Sequence, residues 1–175
     1  LTLLRFENSI NNEFISLDKY VENMVKGQKE IYYFANTDKD HIKNSPQLEA
    51  FTHKKVPVLF MIDAVDEFWL QNIGKYKDYE FKSISKGKVD LNKVGDKKDN
   101  DQKSDKKIDN KINDLINILK NELKDSISNV IVSERLTKSP ILLIAEETSM
   151  DINMEKLMKI HNQKTPLAKK ILEVN

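Results

Sequence analysis

A mixed-charge stretch near the middle of the chain divides it into two blocks, each with its own apolar residues. Lys-Gly-Lys at 86–88 leads into Gly-Asp-Lys-Lys-Asp-Asn-Asp at 95–101, a composition with almost nothing to bury. Ordering such a segment costs about 1–2 kcal/mol per residue in conformational entropy, which polar side chains do not offset. We therefore predict a first block over 1–86, a flexible charged linker over 87–107 and a second block over 108–175. The two blocks are expected to move independently about this linker.

The first block alternates strand and helix patterns along the sequence. Short apolar runs at 31–35 and 56–62, and an alternating run at 79–84, are typical of strands. Between them, the serine–proline pair at 45–46 marks a helix start, and Asp63 caps the next helix. The order strand, helix, strand, helix, strand indicates a short parallel sheet covered by helices, that is, a small three-layer αβα subdomain.

The second block begins with the strongest helix pattern in the chain. Between 108 and 123, apolar side chains recur at three- and four-residue spacing. Strands are predicted at 130–132, 141–145 and 171–174, with a short helix at 153–160. These elements predict an α+β portion, so the fold class of the whole chain is α/β in the first block and α+β overall.

The composition argues against several functional classes. The chain has 175 residues and a formal net charge of +1, whereas nucleic-acid and membrane-surface binding usually show a strong basic bias. It has no cysteine, so it forms no disulfide and no thiolate zinc site. Its histidines lie far apart, and it has neither a glycine-rich phosphate loop nor a serine elbow. We therefore expect no catalytic residue, no metal site and no cofactor site, and no enzyme activity from this chain alone.

Two alternative functions remain open from the residues alone. A small parallel sheet can bind a nucleotide or metabolite at the carboxyl ends of its strands, so the first block is also a candidate ligand-binding enzyme domain. The missing phosphate loop counts against that function. The helix at 150–158 is a candidate membrane-surface element, although Asp151 and Glu155 offset the charges of Lys156 and Lys159.

Two apolar features favour protein binding. Phe68 and Trp69 are adjacent on a predicted helix and point about 100° apart, so both cannot face the centre of one core stripe. The sequence leaves open which of them faces outward. The second feature is a stripe at i, i+4, i+7 and i+8, formed by Met150, Met154, Leu157 and Met158. Flexible methionine suits a surface that accepts many shapes, but ordinary core packing produces the same pattern.

Several motifs resemble the ninety-kilodalton heat-shock chaperone family, and within it the bacterial type. The most specific is Met-Val-Lys-Gly-Gln-Lys-Glu-Ile-Tyr-Tyr at 24–33. The other matching runs are Leu3 to Phe6, Ser16 to Val21, Asn44 to Glu49, Val58 to Asp63, Val65 to Glu67, Val132 to Leu136, Ser139-Pro140, Asn153 to Glu155 and Leu172 to Asn175. These runs follow the family's order and cover nearly the whole chain.

The resemblance implies a place for each block in a larger protein. Residues 1–86 correspond to the C-terminal subdomain of the family's middle domain, and 108–175 to the first portion of its C-terminal domain. The family's ATP and Mg²⁺ site is then expected in an N-terminal domain upstream of Leu1, and its dimerisation helices after Asn175. The parent is expected to be an ATP-dependent, homodimeric chaperone of the cytoplasm, while this fragment neither hydrolyses ATP nor dimerises through those helices.

The resemblance also implies that the partners are unfolded or partly folded client proteins, and neither nucleic acid nor membrane. Clients contact one face of the family's middle domain and a projecting helix of its C-terminal domain. The positions that match these faces are Glu67, Phe68, Trp69, Gln71, Met150, Met154, Leu157 and Met158. Bacterial members typically carry tryptophan at the position of Phe68, whereas here the tryptophan is Trp69.

Overall fold

The computed structural model describes residues 3–91, 94, 110–163 and 168–175, without the side chains of Gln71 and Asn110. In the first block the strands are β1 (Phe6–Asn8), β2 (Phe14–Ile15), β3 (Glu30–Ala35), β4 (Leu59–Met61), β5 (Lys75–Tyr76) and β6 (Tyr79–Ser83). The helices of this block are α1 (Leu17–Glu22), α2 (Lys39–Lys43), α3 (Glu49–His53) and α4 (Ala64–Ile73). The second block contains α5 (Asn110–Glu122), β7 (Ile127–Val132), β8 (Ile141–Ala145), α6 (Ile152–Ile160) and β9 (Lys170–Val174).

The first block is built on a six-stranded sheet with the order β2-β1-β4-β3-β6-β5. Its centre is parallel, because β3 pairs in parallel with both β4 and β6, which confirms the predicted parallel sheet. The strands β1, β2 and β5 add antiparallel pairs toward the edges. These three strands have only two or three residues each, too few for a hydrophobic alternation to be read from the sequence.

Helices cover both faces of this sheet. Successive side chains of β3 point to opposite faces, so Ile31 and Ala35 pack with α1 and α4, while Tyr32 and Phe34 pack with α2 and α3. The two apolar cores lie on either side of one sheet. The three-layer αβα arrangement predicted for the first block is therefore confirmed.

Several helix boundaries are set by capping residues. The Ser16 Oγ atom accepts a hydrogen bond from the Lys19 N–H at 3.1 Å and so begins α1. Ser45 caps a short 3₁₀ turn over Pro46–Leu48, which continues directly into α3. Gly74 ends α4 with φ +63°, a left-handed conformation that glycine adopts without a Cβ clash.

The first block extends beyond its predicted end at residue 86. Val89, Leu91 and Val94 are buried in the same apolar core as the helices α2 and α3. The Lys54 ammonium also donates a hydrogen bond to the Leu91 carbonyl oxygen at 2.9 Å. The beginning of the predicted flexible linker is therefore a folded part of the first block, and the rest of that linker lies outside the described residues.

The second block contains a three-stranded sheet with the order β7-β9-β8. The central strand β9 pairs in parallel with β7 and antiparallel with β8. Helix α5 packs on one face through Ile116, against Val130 of β7 and Leu172 and Val174 of β9. All five elements predicted for this block are present, with β7 beginning three residues earlier than predicted, at Ile127.

The two blocks are in contact in this structure. The Ala145 N–H at the end of β8 donates to the Ser85 carbonyl oxygen at 3.0 Å, and the Gly87 N–H donates to the Ala145 carbonyl oxygen at 2.9 Å. The backbone that follows β6 is thus hydrogen-bonded to the second block. In the described part of the chain, no helix combines the length and the apolar character needed to cross a membrane.

Candidate client-binding surface

The two adjacent aromatic side chains of α4 lie in different environments. The Trp69 ring packs toward the sheet, with its centroid 6.0 Å from that of Phe6 and 5.6 Å from that of Phe81. Its indole N–H donates a hydrogen bond to the Asp66 Oδ1 atom at 2.8 Å. Trp69 is therefore the inward aromatic, held by two ring contacts and one hydrogen bond.

Phe68 is the outward aromatic. Its side chain is 51% exposed, and Val65, three residues earlier on α4, is 63% exposed. Val65 is not among the client-binding positions that the sequence predicted. Large apolar side chains with this exposure lie outside the core, so they are available for contact with another protein.

Glu67 lies at a contact between α4 and α6. It is 5% exposed, and its Oε1 atom accepts a hydrogen bond from the Asn153 Nδ2 atom at 2.9 Å. Burial raises the pKa of Glu67 to about 7, the Asn153 hydrogen bond acts in the opposite direction, and the negative charges of Asp151 and Asp66 raise the pKa further. The expectation that Glu67 belongs to an exposed client-binding face is wrong for this structure, because α6 covers it.

Helix α6 begins at Ile152, with Asp151 as its N-cap, so Met150 precedes the helix and is not part of the helical stripe that the sequence predicted. The Asp151 Oδ1 atom accepts the Asn153 N–H at 3.1 Å. Its Oδ2 atom accepts the hydroxyl groups of Ser83 at 2.7 Å and Ser85 at 2.5 Å. The carboxylate that caps α6 therefore also attaches this helix to the first block.

The buried side of α6 includes Met154, which is 4% exposed. Its predicted place on an exposed face is wrong, because the side chain is buried in this structure. Met150, Leu157 and Met158 are partly exposed. Ile160, at the last position of α6, is 73% exposed and was missed, although it follows Leu157 at i+3 spacing.

The structure thus brings two helices from different blocks together through the Glu67–Asn153 hydrogen bond. We call their outward apolar side chains the client face. It consists of Val65 and Phe68 of α4 and Leu157, Met158 and Ile160 of α6. Trp69 and Met150 flank it as partly exposed side chains, and the side chain of Gln71 lies outside the described residues.

The described residues include no group of three or more histidine, aspartate or glutamate side chains placed to hold a metal ion. The buried carboxylates near α6 are hydrogen-bonded by side chains of the chain itself, as described for Glu67 and Asp151. The arrangement therefore presents apolar side chains around a polar contact between two helices.

Known proteins place the chain in a family. Residues 1–175 match the profile of the family described as "Hsp90 protein". The chaperone protein HtpG of Roseobacter denitrificans is 40% identical over 175 residues, and that of Wolbachia pipientis wMel is 35% identical over 176 residues. Each match covers 100% of this chain and 28% of the relative, so the chain spans little more than a quarter of the length of these relatives. The predicted resemblance is confirmed, and the chain belongs to the Hsp90 chaperone family, in its bacterial HtpG type.

Proposed function

We propose that this chain binds non-native client proteins through the client face. The observation that carries this proposal is the exposure of Phe68 beside an inward Trp69, on a helix that adjoins α6. An aromatic side chain kept in solvent raises the free energy of the unbound protein. Covering it with an apolar segment of an unfolded protein recovers that free energy.

The energies fit weak and promiscuous binding. Burying each large apolar side chain contributes roughly 1.5–3 kcal/mol, and association costs an estimated 4–15 kcal/mol in lost freedom of motion. The five side chains together contribute roughly 7.5–15 kcal/mol, which is comparable to this cost and leaves a small net free energy of binding. Because apolar contact is not directional, the face needs no particular sequence in its partner.

For the longer protein we propose an ATP-driven, homodimeric chaperone of the bacterial cytoplasm that assists protein folding. Relatives of more than three times the length of this chain carry the name chaperone protein HtpG, which supports a chaperone role. ATP and Mg²⁺ are proposed to bind outside these 175 residues. This chain is accordingly proposed to be the client-binding portion and not the ATPase.

The test compares a variant of the client face with a control variant at an exposed phenylalanine elsewhere in the chain. Phe68→Ser combined with Ile160→Ser removes the exposed aromatic side chain of α4 and the most exposed apolar side chain of α6. Phe14→Ser is the matched control, because Phe14 is also an exposed phenylalanine but lies on the edge strand β2. Binding of the 175-residue chain to a fluorescently labelled, permanently unfolded protein is measured by anisotropy.

We expect the Phe68→Ser/Ile160→Ser variant to bind the unfolded protein at least about tenfold more weakly, since each lost side chain contributes more than about 1.4 kcal/mol. The Phe14→Ser variant should bind like the parent chain. Equal affinities for all three proteins, with circular dichroism showing that each is folded, would exclude the client face as the binding site.

A further inference from the structure

The contact between the two blocks is polar. Each of the four clusters of buried apolar side chains in the described residues lies within one block, two of them in the first and two in the second. In the described residues, the blocks meet through hydrogen bonds and the ion pair between Lys82 and Glu147. Polar contacts between domains are typical of interfaces that change their geometry, because separating them exposes little apolar surface.

One of these polar contacts has an unusual concentration of donors. The Glu49 carboxylate on α3 accepts three consecutive backbone N–H groups of the second block, from Thr137 at 2.6 Å, Lys138 at 2.7 Å and Ser139 at 3.1 Å. The Thr137 hydroxyl group donates to the same carboxylate at 3.1 Å, and the Ser139 hydroxyl group donates as well. We call residues 137–139 the latch loop.

The latch loop is chemically matched to an ionised carboxylate. Partial burial raises the pKa of Glu49, but the hydrogen bonds from Ser139, Lys138 and Thr137 outweigh it and bring the pKa to about 2. Glu49 is therefore charged at neutral pH, and its hydrogen bonds are the charge-assisted kind, which are stronger than those between neutral groups. A loop of converging N–H groups forms a concave site for an anion, and here the anion belongs to the other block.

A second contact of the same segment is deeply buried. Arg135 is 3% exposed, and its guanidinium group donates to the carbonyl oxygens of Ile84 and Gly87, both at 2.6 Å. The Glu173 carboxylate lies 3.1 Å from the same guanidinium group and balances its charge. Opening this contact would remove both carbonyl acceptors from the guanidinium group, whereas the ion pair with Glu173 lies within the second block and would persist.

The two contacts differ in their access to water. Thr137 and Lys138 are exposed, so water can replace the Glu49 carboxylate as partner of their N–H groups. Arg135 is buried, so water can reach its guanidinium group only after the surrounding contact has opened. The geometry points to a pivot at Arg135 and a releasable contact at Glu49.

We propose that Glu49 and the latch loop form a latch that fixes the angle between the two blocks. In the latched state the angle is the one in this structure. When Glu49 leaves the loop, the second block turns about Arg135 and the contacts of Asp151 and Asn153 with the first block open, while both blocks remain folded. This inference concerns the orientation of the blocks and does not depend on what the client face binds.

The first test measures the latch directly by hydrogen exchange of the latch-loop amides. Thr137 and Lys138 are exposed, and the Glu49 carboxylate accepts hydrogen bonds from their N–H groups and so protects them from exchange. In Glu49→Gln, a nearly isosteric neutral variant, the amides of Thr137 and Lys138 should exchange about tenfold faster, because hydrogen bonds to a charged acceptor are lost. The control Glu80→Gln changes another exposed glutamate of the first block and should leave these amides unchanged.

The second test measures the angle between the blocks. Because the chain has no native cysteine, spin labels can be attached through Thr52→Cys on α3 and Asn121→Cys on α5, both exposed positions. The parent pair should give one narrow distance distribution. Glu49→Gln should broaden it or add a second distance, and Glu49→Asp should do the same, because the shorter side chain does not reach the loop. Distributions for both variants that superimpose on the parent, or unchanged exchange of the loop amides, would overturn the proposal.

Discussion

Replacing Glu67 by glutamine should stabilise the chain, and the gain should grow with pH. The folded chain holds Glu67 buried beside Asp151 and Asp66, so ionising its carboxyl group is unfavourable there. Its pKa rises from an ordinary value of 4.5 to about 7. Between these pH values the unfolded chain loses the proton and the folded chain keeps it, so stability decreases as the pH rises.

The magnitude follows from the size of the pKa change. One pKa unit corresponds to about 1.4 kcal/mol, so at pH 8 the buried carboxylate costs the folded chain up to ~3 kcal/mol relative to pH 4. Glutamine keeps an oxygen that accepts the Asn153 hydrogen bond but carries no charge. Glu67→Gln should therefore match the parent near pH 4 and exceed its free energy of unfolding by about 1–3 kcal/mol at pH 8.

Urea unfolding at pH values from 4 to 8 measures this difference, with Glu80→Gln as the control for removal of one exposed carboxylate. A titration of the Glu67 carboxyl carbon by NMR gives its pKa independently. The reasoning fails if that carbon titrates near 4.5, or if the stabilities of Glu67→Gln and the parent fall in parallel as the pH rises. In either case the contact between α4 and α6 would be open in solution.

Two further predictions concern buried side chains and use the same unfolding assay. Met154→Ala should destabilise the chain by about 2–5 kcal/mol because it leaves a cavity, while Met158→Ala should cost clearly less; equal costs would contradict the burial of Met154. Arg135→Met should destabilise by about 3–5 kcal/mol because Glu173 stays buried without its partner. Adding Glu173→Gln should restore part of that stability, and no recovery in the double variant would show that the charge of Glu173 is not the cause.

The sequence predicts those helices and strands that are long enough to show a hydrophobic repeat. Strands β3 and β6 and helix α5 each have a pattern of their own, and their approximate places follow from it. The edge strands do not, because two or three residues form a strand only when a neighbour supplies the hydrogen bonds. Val89, Leu91 and Val94 illustrate the same limit: charged residues separate them, so they look like linker, and only the core formed by distant residues buries them.

The candidate site depends even more on contacts between distant residues. Phe68 and Trp69 are equivalent in any local pattern, and what separates them is the presence of Phe6 and Phe81 beneath α4. Likewise, Met154 and Met158 are four residues apart in the predicted stripe, yet Met154 is buried and Met158 is partly exposed. A periodic stripe identifies which side chains share a helix face but not whether another element covers that face.

The polar contact between the blocks also determines the shape of the client face. Its two halves come from different blocks, with Phe68 on α4 and Ile160 on α6, and the groups that join them are hydrogen-bonded polar side chains. A change in the angle between the blocks would therefore alter the spacing of these side chains without unfolding either core. Glu67 is covered by the same contact, so opening it would also add a carboxylate to the exposed surface. Glu67, which the sequence predicts to bind clients and which is buried here, is a residue that such an opening would uncover.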